Sequence, residues 1–223
     1  MTYQELVKYL FEIKDDNFAL FSKRLSNSKL ISIGVKTPVI RKIIKEHVFD
    51  EELKLNDFEL EKYLEVDSIY FGLGLLRRKT YIEQAEFLDK NLIHASSWAI
   101  TDTLGVYMRK CSFEDFLTFY KAHFESEHLY TRRFSYVFAL KFASDKRIVD
   151  LFPLIKLHED YMVTMAEAWL LSFAAINYQE EVFNYLSSID DKELIRKTIS
   201  KICDSYRFEE SEKNKFKSLR EGL

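Results

Sequence analysis

Residues 96–110 read SSWAITDTLGVYMRK, and apolar residues recur through them at spacings of three and four. Three other stretches resemble this one loosely: SIYFGLGLLRRK at 68–79, YTRRFSYVFALKF at 130–142 and MVTMAEAWLLSFAAINY at 162–178. Such spacing is the period of an α-helix that buries one face or more. A second helical pattern precedes each stretch, so we predict helix pairs joined by short links.

The predicted helices cover most of the chain. Two helices begin it, at 3–13 and from about residue 16, and a third follows Gly34, with Thr37 as N-cap and Pro38 as its first residue. The predicted pairs are 57–65 with 67–79, 81–89 with 97–110, 113–123 with 129–143, 146–157 with 160–177, and 179–187 with 191–205, and a last helix spans about 208–220.

Three large side chains mark a repeat in the second helices. Trp98, Arg133 and Trp169 stand 35 and 36 residues apart, close to the period of helical repeats, roughly 34–40 residues. We expect an all-α fold, an α-solenoid of HEAT-like antiparallel helix pairs whose second helices line a concave groove. An irregular helical bundle is the alternative, and the nearly constant interval favours the solenoid.

Composition supports a helical, folded protein. Of 223 residues, 47% are hydrophobic and 15% aromatic, which excludes a disordered chain. Only 5 Gly and 2 Pro occur, so few residues interrupt helices. Because no Pro- or Gly-rich linker divides the array, we predict a single domain over 1–223.

Charge and cysteine content set limits on partners and location. The formal net charge is −3, so the overall charge of the chain gives no support to nucleic-acid binding. It does not exclude such binding, because a local basic strip is enough. Cys111 and Cys203 lack CxxC or Cys–His spacing and indicate a reducing compartment. There is no signal peptide and no apolar run long enough to span a membrane, so we expect a soluble, cytoplasmic protein, a monomer with no membrane partner.

The spacing of Trp98 and Asp102 points to a candidate site. Four residues separate them, which places an aromatic plate and a carboxylate one helical turn apart on one face. In a solenoid, the repeat interval would bring Arg133 and Trp169 into the same neighbourhood. Structural alternatives exist, because Asp102 could form a salt bridge with Arg133 and Trp169 could fill the core between repeats.

The chain resembles the AlkD-type DNA alkylation repair proteins, which are built from HEAT-like repeats, over nearly its whole length. GVKTPVIRK resembles the Gly-x-x-x-Pro-x-x-Arg segment of that family, and SSWAITDTLG resembles its active-site helix with Trp-x-x-x-Asp. The matched positions are Gly34, Pro38, Arg41, Trp98, Asp102, Arg133 and Trp169.

The resemblance implies a DNA glycosylase that hydrolyses the N-glycosidic bond of cationic alkylated purines, such as 3-methyladenine and 7-methylguanine, in duplex DNA without base flipping. It implies catalytic roles for Asp102, Trp98, Arg133 and Trp169, with Arg133 holding a phosphate. From the residues themselves we expect no metal and no cofactor. The five histidines, His47, His94, His123, His128 and His158, show no metal-ligand spacing.

Basic residues are candidates for contacts with the phosphate backbone. They are Arg41, Arg132, Arg77, Arg78 and Lys110. Cations near helix C-termini are also favoured by the helix dipole alone. Glycosylases of this family carry a longer N-terminal segment, and the net charge of −3 is unfavourable for gripping DNA. The alternative is therefore a non-catalytic HEAT-like paralogue that binds nucleic acid or a protein partner along its concave face.

Overall fold

The computed structural model describes residues 1–26, 28–155 and 160–222. Within these ranges the chain is all-α, as the sequence predicts, and its one β-type pairing is an isolated parallel bridge between Ile31 and Tyr63. No helix in the described part of the chain is both long and apolar enough to cross a membrane. The chain divides into two compact units, an N-terminal unit of Met1–Ser112 and a C-terminal unit of Phe113–Leu223.

The N-terminal unit is built around α4, an almost entirely buried helix. The α-helices of this unit are α1 Tyr3–Glu12, α2 Asp16–Ser26, α3 Thr37–His47, α4 Leu64–Leu76, α5 Tyr81–Asn91 and α6 Trp98–Leu104, with 3-10 turns at Leu55–Asp57 and Leu92–His94. Helix α4 packs against both α3 and α6. Nearly every residue of α4 is buried, which explains why the helix is apolar on several faces and not on one.

The C-terminal unit stacks its second helices side by side. Its α-helices are α7 Phe113–His123, α8 Leu129–Ala139, α9 Tyr161–Ala174, α10 Gln179–Ser188, α11 Lys192–Asp204 and α12 Glu210–Lys217, with 3-10 segments at Leu140–Phe142, Lys146–Leu154 and Ser218–Gly222. Helix α9 packs against both α8 and α11. Neighbouring second helices in contact are what a helical repeat requires.

A buried carboxylate organises the loop that precedes α3. Glu65 lies in the first turn of α4 and is only 4% exposed. Its carboxylate accepts hydrogen bonds from the backbone N–H groups of Ile33 (2.9 Å), Gly34 (2.9 Å) and Val35 (3.2 Å). The Ser32 hydroxyl donates to it as well, at 3.0 Å. One side chain thus satisfies three loop donors that would otherwise be buried without partners.

Gly34 is required in this loop for two reasons. Its φ is +100°, a conformation that favours glycine. A Cβ atom there would lie 2.2 Å from the carbonyl oxygen of Asp15. The Asp15 N–H also donates to the Gly34 carbonyl at 3.1 Å, so the two backbones cannot separate freely.

We predict that Gly34→Ala lowers the free energy of unfolding by about 3 kcal/mol, because it combines backbone strain with overpacking. Gly105→Ala is the matched control, since Gly105 has a right-handed φ of −53°. We expect that control to change stability by less than about 1 kcal/mol. Urea denaturation of the two variants measures both effects, and equal stability of the two would contradict this account of the loop.

The helix predicted at 57–65 is wrong. Only Leu55–Asp57 forms a 3-10 turn, and α4 begins at Leu64, earlier than predicted. The backbone is diverted by long-range pairing: the Ile31 N–H donates to the Lys62 carbonyl and the Leu64 N–H donates to the Ile31 carbonyl, each at 3.0 Å. These groups are therefore not available to a local helix.

Other predicted boundaries also need correction. The helix predicted at 97–110 ends at Leu104, because the buried Gln84 side chain binds the backbone beyond it, at the Tyr107 carbonyl (3.0 Å) and the Arg109 N–H (2.7 Å). Lys146–Leu154 is a 3-10 segment rather than an α-helix, and the predicted end at 156–157 lies outside the described residues. Helix α3 begins one residue before its predicted start, with Lys36 as N-cap.

Asp67 holds the irregular turn before α4. Its side chain is fully buried, and the Glu61 N–H donates to both of its carboxylate oxygens at 3.2 Å. Glu61 itself has a φ of +65°. The pKa of Asp67 is raised to about 7, chiefly by burial; the hydrogen bond from the Glu61 N–H opposes this rise, and the Glu61 carboxylate adds to it.

We predict that Asp67 makes stability fall as pH rises. A pKa that is higher in the folded state means that the proton stabilises the fold below the unfolded-state pKa, and that this contribution is lost as pH rises through about 7. Its loss should cost about 2–4 kcal/mol between about pH 4 and pH 8. Asp67→Asn should remove this component from chemical denaturation curves, whereas Asp57→Asn, at an exposed position of the same unit, should leave it. An unchanged pH dependence in Asp67→Asn would contradict the assignment.

Candidate functional site

Helix α6 presents the predicted tryptophan and aspartate. The buried Ser97 hydroxyl caps the helix by accepting the Ala99 N–H at 3.2 Å. Ile100 and Leu104 are buried on one side of the helix. Trp98 and Asp102 are half-buried, one turn apart, so the predicted local geometry of the pair is present.

The Asp102 carboxylate sits beside a buried hydroxyl. Thr101 Oγ1 lies 3.4 Å from Asp102 Oδ1 and 3.4 Å from the Trp98 carbonyl oxygen. A hydroxyl carries a single proton, so these two long contacts share one weak donor. The residue as a whole is partly exposed.

Arg41 lies on the flank of α6. A cavity of about 80 Å³ is lined by Arg41 of α3 together with Ala99, Thr103 and Tyr107. Burial raises the pKa of Tyr107, and the nearby Arg41 cation opposes that rise. The arginine of the GVKTPVIRK segment is thus held near the helix that carries Asp102, within the same unit.

Arg77 has a structural role. Its guanidinium donates four hydrogen bonds to backbone carbonyls at and beyond the C-terminus of α3. The acceptors are His47 (3.1 Å), Val48 (2.9 Å), Asp50 (2.9 Å) and Leu53 (2.8 Å). Such contacts satisfy the free carbonyls that end a helix. This use of all its donor atoms accounts for Arg77 without a DNA contact.

Two other basic residues of the N-terminal unit differ in exposure. The half-buried Arg78 guanidinium lies 4.0 Å from the centre of the Phe87 ring and donates to the Gly74 carbonyl. Lys110, beyond α6, is exposed. Lys110 is therefore better placed than Arg78 to meet a phosphate.

The adjacent arginines of α8, Arg132 and Arg133, have different surroundings. Arg133 is only 6% exposed and donates through Nη1 to the carbonyl of Met162, at the start of α9. Arg132 is half-buried, and its Nε atom is buried with no hydrogen-bond partner among the residues that the structure describes. A buried donor of this kind is uncommon in folded proteins.

Trp169 stands on α9 among other aromatic and basic side chains. It is half-buried, its ring meets the Phe173 ring edge-on at 6.0 Å, and Lys201 Nζ lies 5.8 Å from its centre. Trp98 and Asp102 belong to the N-terminal unit and Arg133 and Trp169 to the C-terminal unit. Their convergence on one groove stays a prediction.

In residues 1–26, 28–155 and 160–222, no group of three or more His, Cys, Asp or Glu side chains is arranged to hold a metal ion. His158, one of the five histidines considered in the sequence, lies outside these ranges.

Comparison with known families decides the assignment. A family model described as DNA alkylation repair enzyme matches residues 6–203, nearly the whole chain. The chain belongs to this family. Membership supports a role in DNA alkylation repair and agrees with the resemblance drawn from the Gly34, Trp98 and Trp169 segments. No curated protein matches the chain.

Several relevant residues had no clear sequence signal. Glu65 and Tyr107 line the same cavity as Arg41, but both lie in ordinary helical patterns. Lys201, on α11, contacts Trp169 although the two residues are 32 positions apart in the sequence. The spacing of Trp169 and Lys201 carries no signature, because the contact depends on how α9 and α11 pack.

We predict that Arg77→Met lowers the free energy of unfolding by roughly 3 kcal/mol, since it leaves several buried carbonyls without a donor. Lys79→Met, two residues on at an exposed position, is the control and should change stability by less than about 0.5 kcal/mol. Thermal and urea denaturation measure both. An Arg77→Met protein as stable as the control would remove the structural role and return Arg77 to the candidate DNA contacts.

Proposed function

We propose that the protein is a DNA glycosylase of the alkylation repair family that releases cationic alkylated purines, such as 3-methyladenine and 7-methylguanine, from duplex DNA. The observation that carries the proposal is the Trp98–Asp102 pair on α6. The two side chains lie one turn apart, both are half-buried, and the family model includes them.

The substrate itself lowers the chemical demand on the enzyme. A purine alkylated at a ring nitrogen carries a positive charge and leaves as a neutral base, so no general acid is needed to protonate it. As the N-glycosidic bond breaks, positive charge moves onto the deoxyribose. The enzyme has to stabilise that charge and deliver water to the sugar carbon.

Asp102 suits both tasks. A carboxylate near the sugar stabilises developing positive charge electrostatically, and it can orient or deprotonate the attacking water. The half-buried position strengthens such an interaction because less water screens it. The Trp98 ring, one turn away, offers a π face with negative potential to the same cationic sugar.

The remaining residues are assigned according to their surroundings. Lys201 already lies over the ring of Trp169, so the cation–π role goes to Trp98. Arg133 is buried and positions α8 against the start of α9. Phosphate contacts fall to Arg132, Arg41 and Lys110. The lesion reacts without being flipped into an enclosing pocket, as the family resemblance implies.

A second candidate function is a non-catalytic member of the family that binds nucleic acid or a protein partner. The burial of Arg133 favours this second function. The resemblance implies that this arginine holds a phosphate, whereas in the structure it donates to a backbone carbonyl. The net charge of −3 also reduces the electrostatic attraction to DNA.

We predict that Asp102→Asn slows the single-turnover release of 7-methylguanine and 3-methyladenine from methylated duplex DNA on the order of 100-fold or more. The Asn side chain keeps the size of Asp but removes the charge. Asp150→Asn, at an exposed position in the C-terminal unit, is the control and should act like the wild type.

Two results would count against the glycosylase. Release by the wild-type protein no faster than spontaneous depurination would reject the activity and favour the non-catalytic alternative. Release that is equally fast in Asp102→Asn would keep the activity but remove Asp102 from it.

A further inference from the structure

An open cleft lies in the C-terminal unit where α9 meets the end of α11. Its volume is about 390 Å³, within the range of small-molecule sites, roughly 300–1,000 Å³. The side chains of this cleft that matter here are Trp169, Phe173, Lys201, Asp204, Tyr206 and Arg207. We call it the Tyr206 cleft. None of its residues except Trp169 was predicted to have a role.

The segment that displays Tyr206 and Arg207 is anchored on both sides. Before it, the Ser205 N–H donates to the Ile202 carbonyl at 3.2 Å, and Ser205 Oγ accepts the Arg207 N–H at 3.2 Å. After it, Phe208 is buried, only 6% exposed. Tyr206, between these anchors, is 90% exposed. These contacts on both sides of Tyr206 thus restrict the position of its solvent-exposed ring.

Cations stand against the aromatic rings of the cleft. Lys201 Nζ lies 5.8 Å from the centre of the Trp169 ring. The Arg207 guanidinium lies 5.5 Å from the centre of the Phe173 ring and 5.9 Å from that of Tyr206. The cleft therefore combines three aromatic rings with two positive charges and one carboxylate, Asp204, in a chain whose net charge is negative.

This combination selects the chemistry of a ligand. Aromatic rings stack on a planar heterocycle, and Lys and Arg bind an anion attached to it. A cationic ligand, such as an alkylated purine, would be repelled by the two positive charges. A neutral base with an exocyclic amino group could donate to Asp204. A neutral nucleobase joined to a phosphate meets all of these conditions.

We propose that the Tyr206 cleft binds a nucleotide with a neutral base, which stacks on its aromatic rings while Lys201 and Arg207 hold the phosphate. Its ligand differs chemically from the cationic lesion on which Asp102 is proposed to act. Only the source of the nucleotide, an unpaired position in a DNA strand, rests on the proposed function. Binding of the nucleotide itself does not.

The test uses Trp169 as the reporter. In the full-length Trp98→Phe protein, Trp169 is the single tryptophan, because the chain has only two. We expect its emission to be quenched on titration with deoxyadenosine 5′-monophosphate. In that background, Tyr206→Ala should weaken binding about tenfold, as expected for loss of one stacking partner. Arg207→Gln should weaken the monophosphate but not deoxyadenosine, which has no phosphate.

Phe49→Ala is the matched control. Phe49 is also 90% exposed but lies in the N-terminal unit, so its removal should leave nucleotide binding unchanged. Because Tyr206 and Arg207 are both exposed, their variants should fold, and circular dichroism verifies this. No change in emission up to millimolar nucleotide, or equal weakening by Phe49→Ala, would overturn the site.

A short deoxyadenosine oligomer distinguishes the two sources. Tighter binding of the oligomer than of the monophosphate, weakened by the same variants, would support an unpaired position in a DNA strand. Tighter binding of the monophosphate would overturn that source in favour of a free nucleotide. Neither titration contains a lesion or a duplex, so a failure here and a failure of glycosylase activity are separate results.

Discussion

The carboxylate of Glu65 is the interaction on which the N-terminal unit depends. It is buried in the first turn of α4 and accepts hydrogen bonds from three successive backbone N–H groups, those of Ile33, Gly34 and Val35. Those bonds fix the loop that leads into α3, and α3 carries Arg41 to the flank of α6. The glycine and arginine of the GVKTPVIRK segment are thus explained together, because one shapes the loop and the other is positioned by it.

Much of the fold follows from local patterns. The helix predicted at 113–123 is observed at Phe113–His123. The helices predicted at 81–89, 179–187 and 191–205 begin and end within two residues of the observed bounds. These helices are set by apolar periodicity, which the sequence carries directly. The failure at 57–65 has a different cause. There the backbone pairs with Ile31 and the N–H of Glu61 binds the buried Asp67, and neither contact has a local signature.

The candidate site divides in the same way. The Trp98–Asp102 pair lies within one helix, so its spacing was enough to predict its geometry. The burial of Arg133 and the position of Lys201 over Trp169 depend on how α8, α9 and α11 pack, which no short motif encodes. Arg77 illustrates the same limit, since a basic run at the end of α4 suggested phosphate contacts while the side chain caps α3.

Under the proposed function, Asp102 stabilises positive charge on a deoxyribose in bound DNA. The most direct measurement compares the affinity for two duplexes, one with a cationic pyrrolidine ring in place of the lesion sugar and one with a neutral tetrahydrofuran ring. We expect the wild-type protein to bind the cationic duplex more tightly, about tenfold or more, and Asp102→Asn to lose this preference. Equal affinity of the wild-type protein for the two duplexes would contradict it.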